Sequence, residues 1–248
     1  MEISGYSECG VINALFYEIA YFGKSLHLLK ELLALAYCPS LVEFSQSLTD
    51  VRVFMEQSLS DFGDADVILL LDAGDKKGVA FIEAKVKSSQ RNEWKLEQEF
   101  EKFKNGCNSG DKKLSSSNLF TQLYHKHRFL NGLSETGIEG LKKGIDFPEC
   151  SAKKTRRIGN NVVVLSAVME IEPYRENAWY VVLVPDTATA VRDFYSDFIK
   201  NDMEAAILSR LDKSRWGGVA WEQIAEYCEK FGLEKTKRVL DFNKGQIY

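Results

Sequence analysis

The clearest feature of the chain is a pair of apolar runs of strand length, at residues 67–72 and 79–86. The stretch between them contains Gly74, Asp75 and Gly78, which are residue types that favour tight turns. Two apolar runs joined by such a turn predict a β-hairpin. The second run begins without polar alternation, so we expect its strand to be buried on both faces.

Two charged residues, Glu83 and Lys85, interrupt the second strand of this hairpin. Because side chains alternate along a strand, Glu83 and Lys85 share one face while Ala84 takes the other. Asp66 stands just before the first strand, and the start of one strand in a hairpin lies beside the end of the other. The pattern therefore brings Asp66, Glu83 and Lys85 together, although burying charges is costly unless something compensates for them.

Helical periodicity occurs on both sides of the hairpin. Apolar residues at helical spacing predict helices at 9–37, 90–104, 118–133 and from 187 onward, the last broken by Gly217 and Gly218.

Further strands are expected at 161–171 and 178–184, which are rich in β-branched and aromatic residues. The segment before the hairpin is ambiguous, since 41–44 fits a short strand and Thr49 or Asp50 fits the cap of a helix. The order helix, hairpin, helices, strands and helices predicts an α/β fold with a mixed sheet covered on both faces.

Composition describes an ordinary globular protein of 248 residues, 45% hydrophobic and 27% charged. Five scattered cysteines without a CxxC pair indicate free thiols in a reducing compartment, and no signal-peptide pattern precedes the first helix, so we expect a cytoplasmic protein. The apolar run at 26–37 contains Lys30 and Glu31 and is too short and too charged to span a membrane.

Charge is distributed unevenly along the chain, although the net charge is only −4. The first 75 residues contain twelve acidic and three basic residues, so the remainder is basic. Lysine and arginine are concentrated between residues 140 and 160. This stretch fits either a local surface for phosphates or a solvated loop.

Two carboxylates and an amine at one end of a sheet suit chemistry on phosphate. Oxygen ligands from Asp66 and Glu83 can hold Mg²⁺, and Mn²⁺ can substitute for it. Such a metal acidifies a bound water, and Lys85 can position that water or stabilise developing negative charge. The alternative is an ordinary ion pair between Glu83 and Lys85 on an edge strand, with Asp66 in a solvated turn.

The pattern Asp66, a spacer and then Glu83-Ala84-Lys85 resembles the motif of the PD-(D/E)xK nuclease superfamily. The chain departs from that motif at Ala65, where the family usually has proline. The resemblance implies a three-layer α/β/α, restriction-endonuclease-like core with a mixed central sheet. We expect this core at residues 1–186, with a C-terminal helical extension, 187–248, packed on it.

The resemblance also implies an activity: metal-dependent hydrolysis of phosphodiester bonds in nucleic acid, with DNA as the expected partner and a homodimer as one possible state. Family members often carry an acid on a helix before the hairpin, which favours Glu8 as a third metal ligand over Glu18, a surface acid. A later helix often supplies a Gln or Lys, and Gln122 is the candidate here. Asp64 is the fallback for Asp66.

Two rival hypotheses remain beside the nuclease. His125 and His127, with Cys107 or Cys150, suggest zinc, but on a helix the two histidine side chains point about 200° apart, so they do not converge as zinc ligands must. A catalytically silent nuclease-like fold, acting as a nucleic-acid-binding or assembly module, would keep the charges for structure. Binding of a divalent cation would discriminate between the module and the enzyme.

Overall fold

The structure is a computed structural model that describes residues 8–87, 93–108, 115–146, 155–200 and 212–245. Part of the basic stretch at 140–160 lies outside these ranges. No helix in the described ranges is long and apolar enough to cross a membrane.

A five-stranded mixed sheet forms the centre of the α/β fold. In chain order its strands are β1 (Asp50–Ser58), β2 (Asp64–Ala73), β3 (Lys76–Ala84), β6 (Ala178–Val184) and β7 (Trp216–Ala220), and a separate two-stranded ribbon pairs β4 (Ile145–Asp146) with β5 (Thr155–Arg156).

The spatial order of the sheet is β1-β2-β3-β6-β7. The first three strands are antiparallel, whereas β6 runs parallel to β3 and β7 runs parallel to β6. The predicted hairpin is therefore confirmed as β2 and β3, with Gly74 in its turn at a φ of +69°, which glycine adopts without strain. Because β3 lies between β2 and β6, the alternative that placed Glu83 on an edge strand is wrong.

Helices account for most of the remaining described chain. In order they are α1 (Glu8–Tyr21), α2 (Ser25–Leu33), α3 (Pro39–Gln46), α4 (Leu96–Asn108), α5 (Leu119–Lys143), α6 (Val162–Ile171), α7 (Ala188–Lys200), α8 (Trp221–Phe231) and α9 (Glu234–Phe242).

Sheet residues alternate between two hydrophobic clusters. Phe81 belongs to one cluster, together with residues of α4, α5, α6 and α7. Its neighbour Ile82 belongs to the other, together with residues of α1, α2, α3, α8 and α9. Strand β3 is thus buried on both faces, as its unbroken apolar sequence predicted.

The strand predicted at 161–171 is wrong, because this segment forms helix α6. The side chain of Asn161 accepts a hydrogen bond from the N–H of Val163 at 2.8 Å and caps the helix. Val164, Val168 and Ile171 are buried at helical spacing. The cap and this packing outweigh the strand preference of the β-branched residues.

The break predicted at Gly217 and Gly218 is also wrong, because both lie inside strand β7. A Cβ atom on Gly217 would fall 2.5 Å from Cys38, and one on Gly218 would fall 2.6 Å from Tyr195. Glycine is needed here for close packing against both faces of the strand. The region 187–248 therefore contributes a strand to the sheet as well as helices.

The ambiguous segment before the hairpin contains a helix followed by a strand. Residues 41–44, which fitted a short strand, belong to α3, and the helix that Thr49 or Asp50 would have capped is replaced by β1. Strand β1 pairs with β2 from Asp50 to Ser58. Long-range pairing decides the structure here, since the local sequence is consistent with either element.

Candidate active site

Asp66 and Glu83 lie beside each other at one end of the hairpin, which we call the site end. The ladder between β2 and β3 finishes with the pair Val67 and Ile82, and Asp66 and Glu83 come next on their strands. The Asp66 carboxylate accepts a hydrogen bond of 2.7 Å from the backbone N–H of Ala84. The register of the hairpin thus produces the proximity that the sequence predicted.

Glu83 is completely buried, with an exposed fraction of 0%. The ammonium of Lys126, on α5, lies 2.8 Å from Oε1 of Glu83 and also donates a 2.7 Å hydrogen bond to the carbonyl of Asp64. Oε2 of Glu83 has no hydrogen-bond partner among the described residues. A buried carboxylate oxygen without a partner is costly, which makes it a candidate ligand atom.

Burial raises the pKa of Glu83 from 4.5 to about 7, against the opposing effect of Lys126. The negative charge of Asp66 adds to this rise. Burial also raises the pKa of Asp66, although the hydrogen bond from Ala84 and the charge of Lys85 work in the other direction. The two carboxylates therefore favour a nearby positive charge more strongly than ordinary surface acids do.

Lys85 is the first residue past β3, and both of its backbone groups are held in place. Its N–H donates to the carbonyl of Leu183 at 2.8 Å, and its carbonyl accepts from the indole N–H of Trp221 at 2.8 Å. The Lys85 charge lowers the pKa of Asp66 and of Glu8 below what burial alone would produce. Its ammonium therefore acts on the predicted carboxylates.

Glu8 joins the same group from the other side of the sheet, at the start of α1. Its carboxylate accepts a hydrogen bond from the backbone N–H of Val86. Burial raises the pKa of Glu8, while Lys85 lowers it and Asp66 raises it further. The structure therefore brings Glu8, Asp66, Glu83 and Lys85 together at the site end.

Gln122 lies on α5, one helical turn before Lys126. Its Oε1 atom is buried and has no hydrogen-bond partner in the part of the chain that the structure describes. Residues four apart share one face of a helix, so Gln122 and Lys126 face the same way. Gln122 therefore lies near the site, because Lys126 on the same helix face contacts Glu83. The sequence analysis selected Gln122 and not Lys126.

Two residues at the site end were missed from sequence. Lys126 was detectable in principle, because it lies at i+4 from Gln122 and therefore on the same face of the helix. Glu56, on β1, stands opposite Asp66 between the paired residues Met55–Val67 and Gln57–Ala65. No local signal marks Glu56.

Glu56 adopts a left-handed backbone conformation, with a φ of +50°, which is uncommon for a residue other than glycine. Its carboxylate accepts a 3.0 Å hydrogen bond from Asn13. Its charge raises the pKa of Asp66 and contributes to the raised pKa of Cys9. Glu56 therefore adds to the negative charge around Asp66.

The donor set fits a hard cation with few protein ligands. In the described ranges no three His, Cys, Asp or Glu side chains are grouped closely enough to hold a metal ion as they stand. Mg²⁺ usually keeps several waters and needs only one or two carboxylates from the protein. Asp66 and Glu83, with the unpartnered Oε2 atom of Glu83, meet that requirement.

The other predicted acids have different surroundings. Glu18 does not stand alone on the surface, because its carboxylate accepts hydrogen bonds from the backbone N–H groups of Lys235 and Thr236 at 3.1 and 2.7 Å. It caps the start of α9. The side chain of Asp64 is exposed, and only its carbonyl contacts Lys126.

His125 is buried and His127 is half-buried on α5. Burial lowers the pKa of His125 to about 3, aided by Arg156, and burial lowers the pKa of His127 to about 4. The ring of His127 packs edge-on against Tyr180, with centroids 5.6 Å apart. Burial therefore disfavours the charged form of both rings, and the side chains of Cys107 and Cys150, the other candidate zinc ligands, lie outside the described residues.

The described part of the basic stretch lies next to the loop that leads into β2. Arg156 donates to the carbonyl of Asp61, and the N–H of Gly159 donates to the hydroxyl of Ser60 at 2.9 Å. Asp61 is three residues before Asp64, whose carbonyl binds Lys126. The ribbon β4–β5 is therefore attached near the site end of the sheet.

Comparison with known proteins identifies no relative of this chain. No family model matches it, and neither the curated proteins nor the solved structures contain a significant match.

Proposed function

We propose that the protein is a divalent-metal-dependent nuclease that hydrolyses phosphodiester bonds in nucleic acid, with DNA as the substrate to test first. The observation that carries this proposal is the environment of Glu83. Its carboxylate is fully buried, and one oxygen has no hydrogen-bond partner among the described residues, beside the Asp66 carboxylate. Buried carboxylate oxygens normally have a hydrogen-bond partner, so this atom is available to a ligand.

In this proposal, Asp66 and Glu83 hold Mg²⁺ or Mn²⁺, and Glu8 contributes a third carboxylate at the edge of the site. The bound metal acidifies a water and stabilises negative charge on phosphate. Lys85 orients the attacking water or stabilises charge on a phosphate oxygen. Gln122 can hold a water or a phosphate oxygen through its side-chain amide.

Lys126 gives the site a counter-charge from the protein itself. It offsets part of the cost of burying Glu83, so the carboxylate is held in place before a cation arrives. Because Lys126 lies against Oε1, Oε2 is the oxygen that would bind the cation.

The three-layer, restriction-endonuclease-like architecture belongs to the same proposal. Support comes from the mixed sheet, whose residues alternate between two hydrophobic clusters with different sets of helices. Of the motif residues, Glu83 stands on the central strand β3, Lys85 follows it directly, and Asp66 stands on the neighbouring strand β2.

A second candidate function is a nuclease-like fold that binds nucleic acid or assembles with a partner without cleaving. The ion pair between Glu83 and Lys126 favours this candidate, because each side chain is only 1% exposed and the lysine already supplies a counter-charge. In that case the group would not bind a divalent cation.

The two candidates separate in a cleavage assay on supercoiled plasmid, linear duplex and single-stranded DNA, with Mg²⁺ or with a chelator. The nuclease predicts metal-dependent cleavage that is lost in Glu83→Gln and Lys85→Ala while both variants remain folded. Lys77→Ala, at the opposite end of β3, is the matched control and should cleave normally. Normal cleavage by both site variants would contradict the proposed roles.

A further inference from the structure

The backbone just past β3 is fixed by the same carboxylates that form the site. Ala84 donates its N–H to Asp66, and Val86 donates its N–H to Glu8. Lys85 lies between these two anchors. The direction of its side chain therefore depends on how its own peptide groups are held.

One of the two hydrogen bonds that hold Lys85 comes from the C-terminal region. The indole N–H of Trp221 donates to the Lys85 carbonyl at 2.8 Å, and Trp221 has an exposed fraction of 0%. Trp221 is the first residue of α8 and follows β7, whose last residue Ala220 pairs with Val184 of β6. The pairing of β7 with β6 therefore places the indole of Trp221 at the end of β3.

A lysine side chain has many rotamers, and the direction in which it leaves the chain is set first by the backbone conformation at its Cα atom. Past the end of a strand, that backbone has no regular ladder to define it. The Lys85 N–H retains one ladder bond, to Leu183, and the indole of Trp221 holds the carbonyl on the other side of the residue. Both peptide planes that flank the Lys85 Cα atom are therefore restrained.

We propose that Trp221 is a positioning residue for Lys85, so that the region 187–248 completes the site. This inference rests on the proposed nuclease function. Under this proposal Trp221 determines where the Lys85 ammonium lies. A purely structural role of the buried indole would not affect the position of that ammonium.

Trp179 provides a matched control for Trp221. It is also buried, belongs to the same hydrophobic cluster, and donates its indole N–H to the hydroxyl of Ser40 at 3.0 Å. It pairs with Ala80, closer to the turn of the hairpin than Glu83 is. Loss of either indole N–H removes one partly buried hydrogen bond, but of the two indoles only that of Trp221 donates to the Lys85 backbone.

The test compares Trp221→Phe with Trp179→Phe by amide hydrogen exchange and by cleavage kinetics on the full chain with Mg²⁺. In Trp221→Phe we expect the Lys85 and Val86 amides to exchange about tenfold faster. We also expect kcat to fall by roughly 10- to 100-fold with KM nearly unchanged. In Trp179→Phe both quantities should stay near the wild-type values.

Each outcome of this comparison either supports or contradicts the positioning role of Trp221. If Trp221→Phe and Trp179→Phe behave alike, or if exchange accelerates at Lys85 while kcat of an active enzyme is unchanged, Trp221 is only structural. If the wild-type protein neither binds Mn²⁺ nor cleaves DNA, the proposed function fails, and exchange at Lys85 alone decides whether Trp221 positions that residue. If the Phe variant does not fold, replacement of Trp221 by benzothienylalanine, which keeps the ring size and lacks the N–H, provides the same comparison.

Discussion

The two ends of the central hairpin carry similar charges in opposite circumstances. At the turn end, defined by Asp72 and Lys77, Asp72 accepts a 2.8 Å hydrogen bond from the hydroxyl of Tyr174, and Lys77 lies 3.9 Å from the Asp72 carboxylate. Arg52 in turn donates to the Tyr174 hydroxyl at 2.9 Å. These charges are partly solvated, and each has a partner.

At the site end, the side chains of Glu83 and Lys126 are each only 1% exposed. One Glu83 oxygen has no hydrogen-bond partner among the described residues. Burial also raises the pKa values of Glu83, Asp66 and Glu8. The two ends therefore differ in whether contacts within the protein satisfy their charged groups. Folding accounts for the turn end, whereas the site end retains an unfavourable arrangement that a bound cation would relieve.

The largest expected effect is on the rate of DNA cleavage, and it should distinguish two aspartates on the same strand, β2. Asp66→Asn should lower the rate of metal-dependent DNA cleavage by about 10³-fold or more, because a neutral amide at this position holds a divalent cation poorly. Asp72→Asn should leave the rate unchanged, since Asp72 lies at the turn end. Single-turnover cleavage assays measure both, and equal rates for the two variants would remove the functional distinction between the ends.

A second comparison concerns stability and involves one lysine from each end. Lys126→Met should lower the free energy of unfolding by about 3–5 kcal/mol at a pH well above the pKa of Glu83, where Glu83 would be left charged and buried without a partner. Lys77→Met should change it by less than about 1 kcal/mol, as expected for a solvated pair. Chemical denaturation followed by circular dichroism measures both values.

The pH dependence of the Lys126→Met loss provides its own check. Removing Lys126 removes an influence that lowers the pKa of Glu83, so that pKa rises further. A protonated Glu83 needs no counter-charge, so the loss of stability should shrink as the pH falls from the raised pKa of Glu83 in the variant to about 7, and should level off below that, where Glu83 is protonated in both proteins. A loss that is constant across this range would show that Glu83 is not the group left unpaired.

The smallest expected effect is on metal affinity. Because the pKa of Glu83 is raised to about 7, a cation must displace a proton from Glu83 at lower pH. The association constant for Mn²⁺ should therefore fall by about tenfold for each pH unit below that pKa and level off above it. Calorimetry in two buffers of different ionisation enthalpy measures the released proton, and an affinity independent of pH would contradict a Glu83 ligand.

The hairpin was predictable because its signals are local. The apolar runs, the glycine turn and the interrupting charges all lie within one short stretch, and the register of a hairpin follows from its turn. The proximity of Asp66, Glu83 and Lys85 followed from this register alone. The segment 161–171 was not predictable in the same way, because an unbroken apolar run fits a buried strand as well as a buried helix.

The residues missed at the site depend on distant parts of the chain. Lys126 contacts Glu83 only because α5 packs one particular face against β3, and the sequence of α5 does not specify where that face lies. Glu56 requires a left-handed backbone conformation that its residue type does not predict. Trp221 reaches Lys85 through β7, a strand whose two glycines indicated a break in the chain instead.

The most direct test of the central claim is diffraction from crystals soaked in Mn²⁺, with data recorded at the manganese absorption edge. A metal site at the site end predicts an anomalous peak between the carboxylates of Asp66 and Glu83, with Lys85 nearby and no peak beside Asp72. An Mn²⁺-soaked crystal without a peak at Asp66 and Glu83, in which Glu83 remains paired with Lys126 alone, would contradict the account and favour the non-catalytic module.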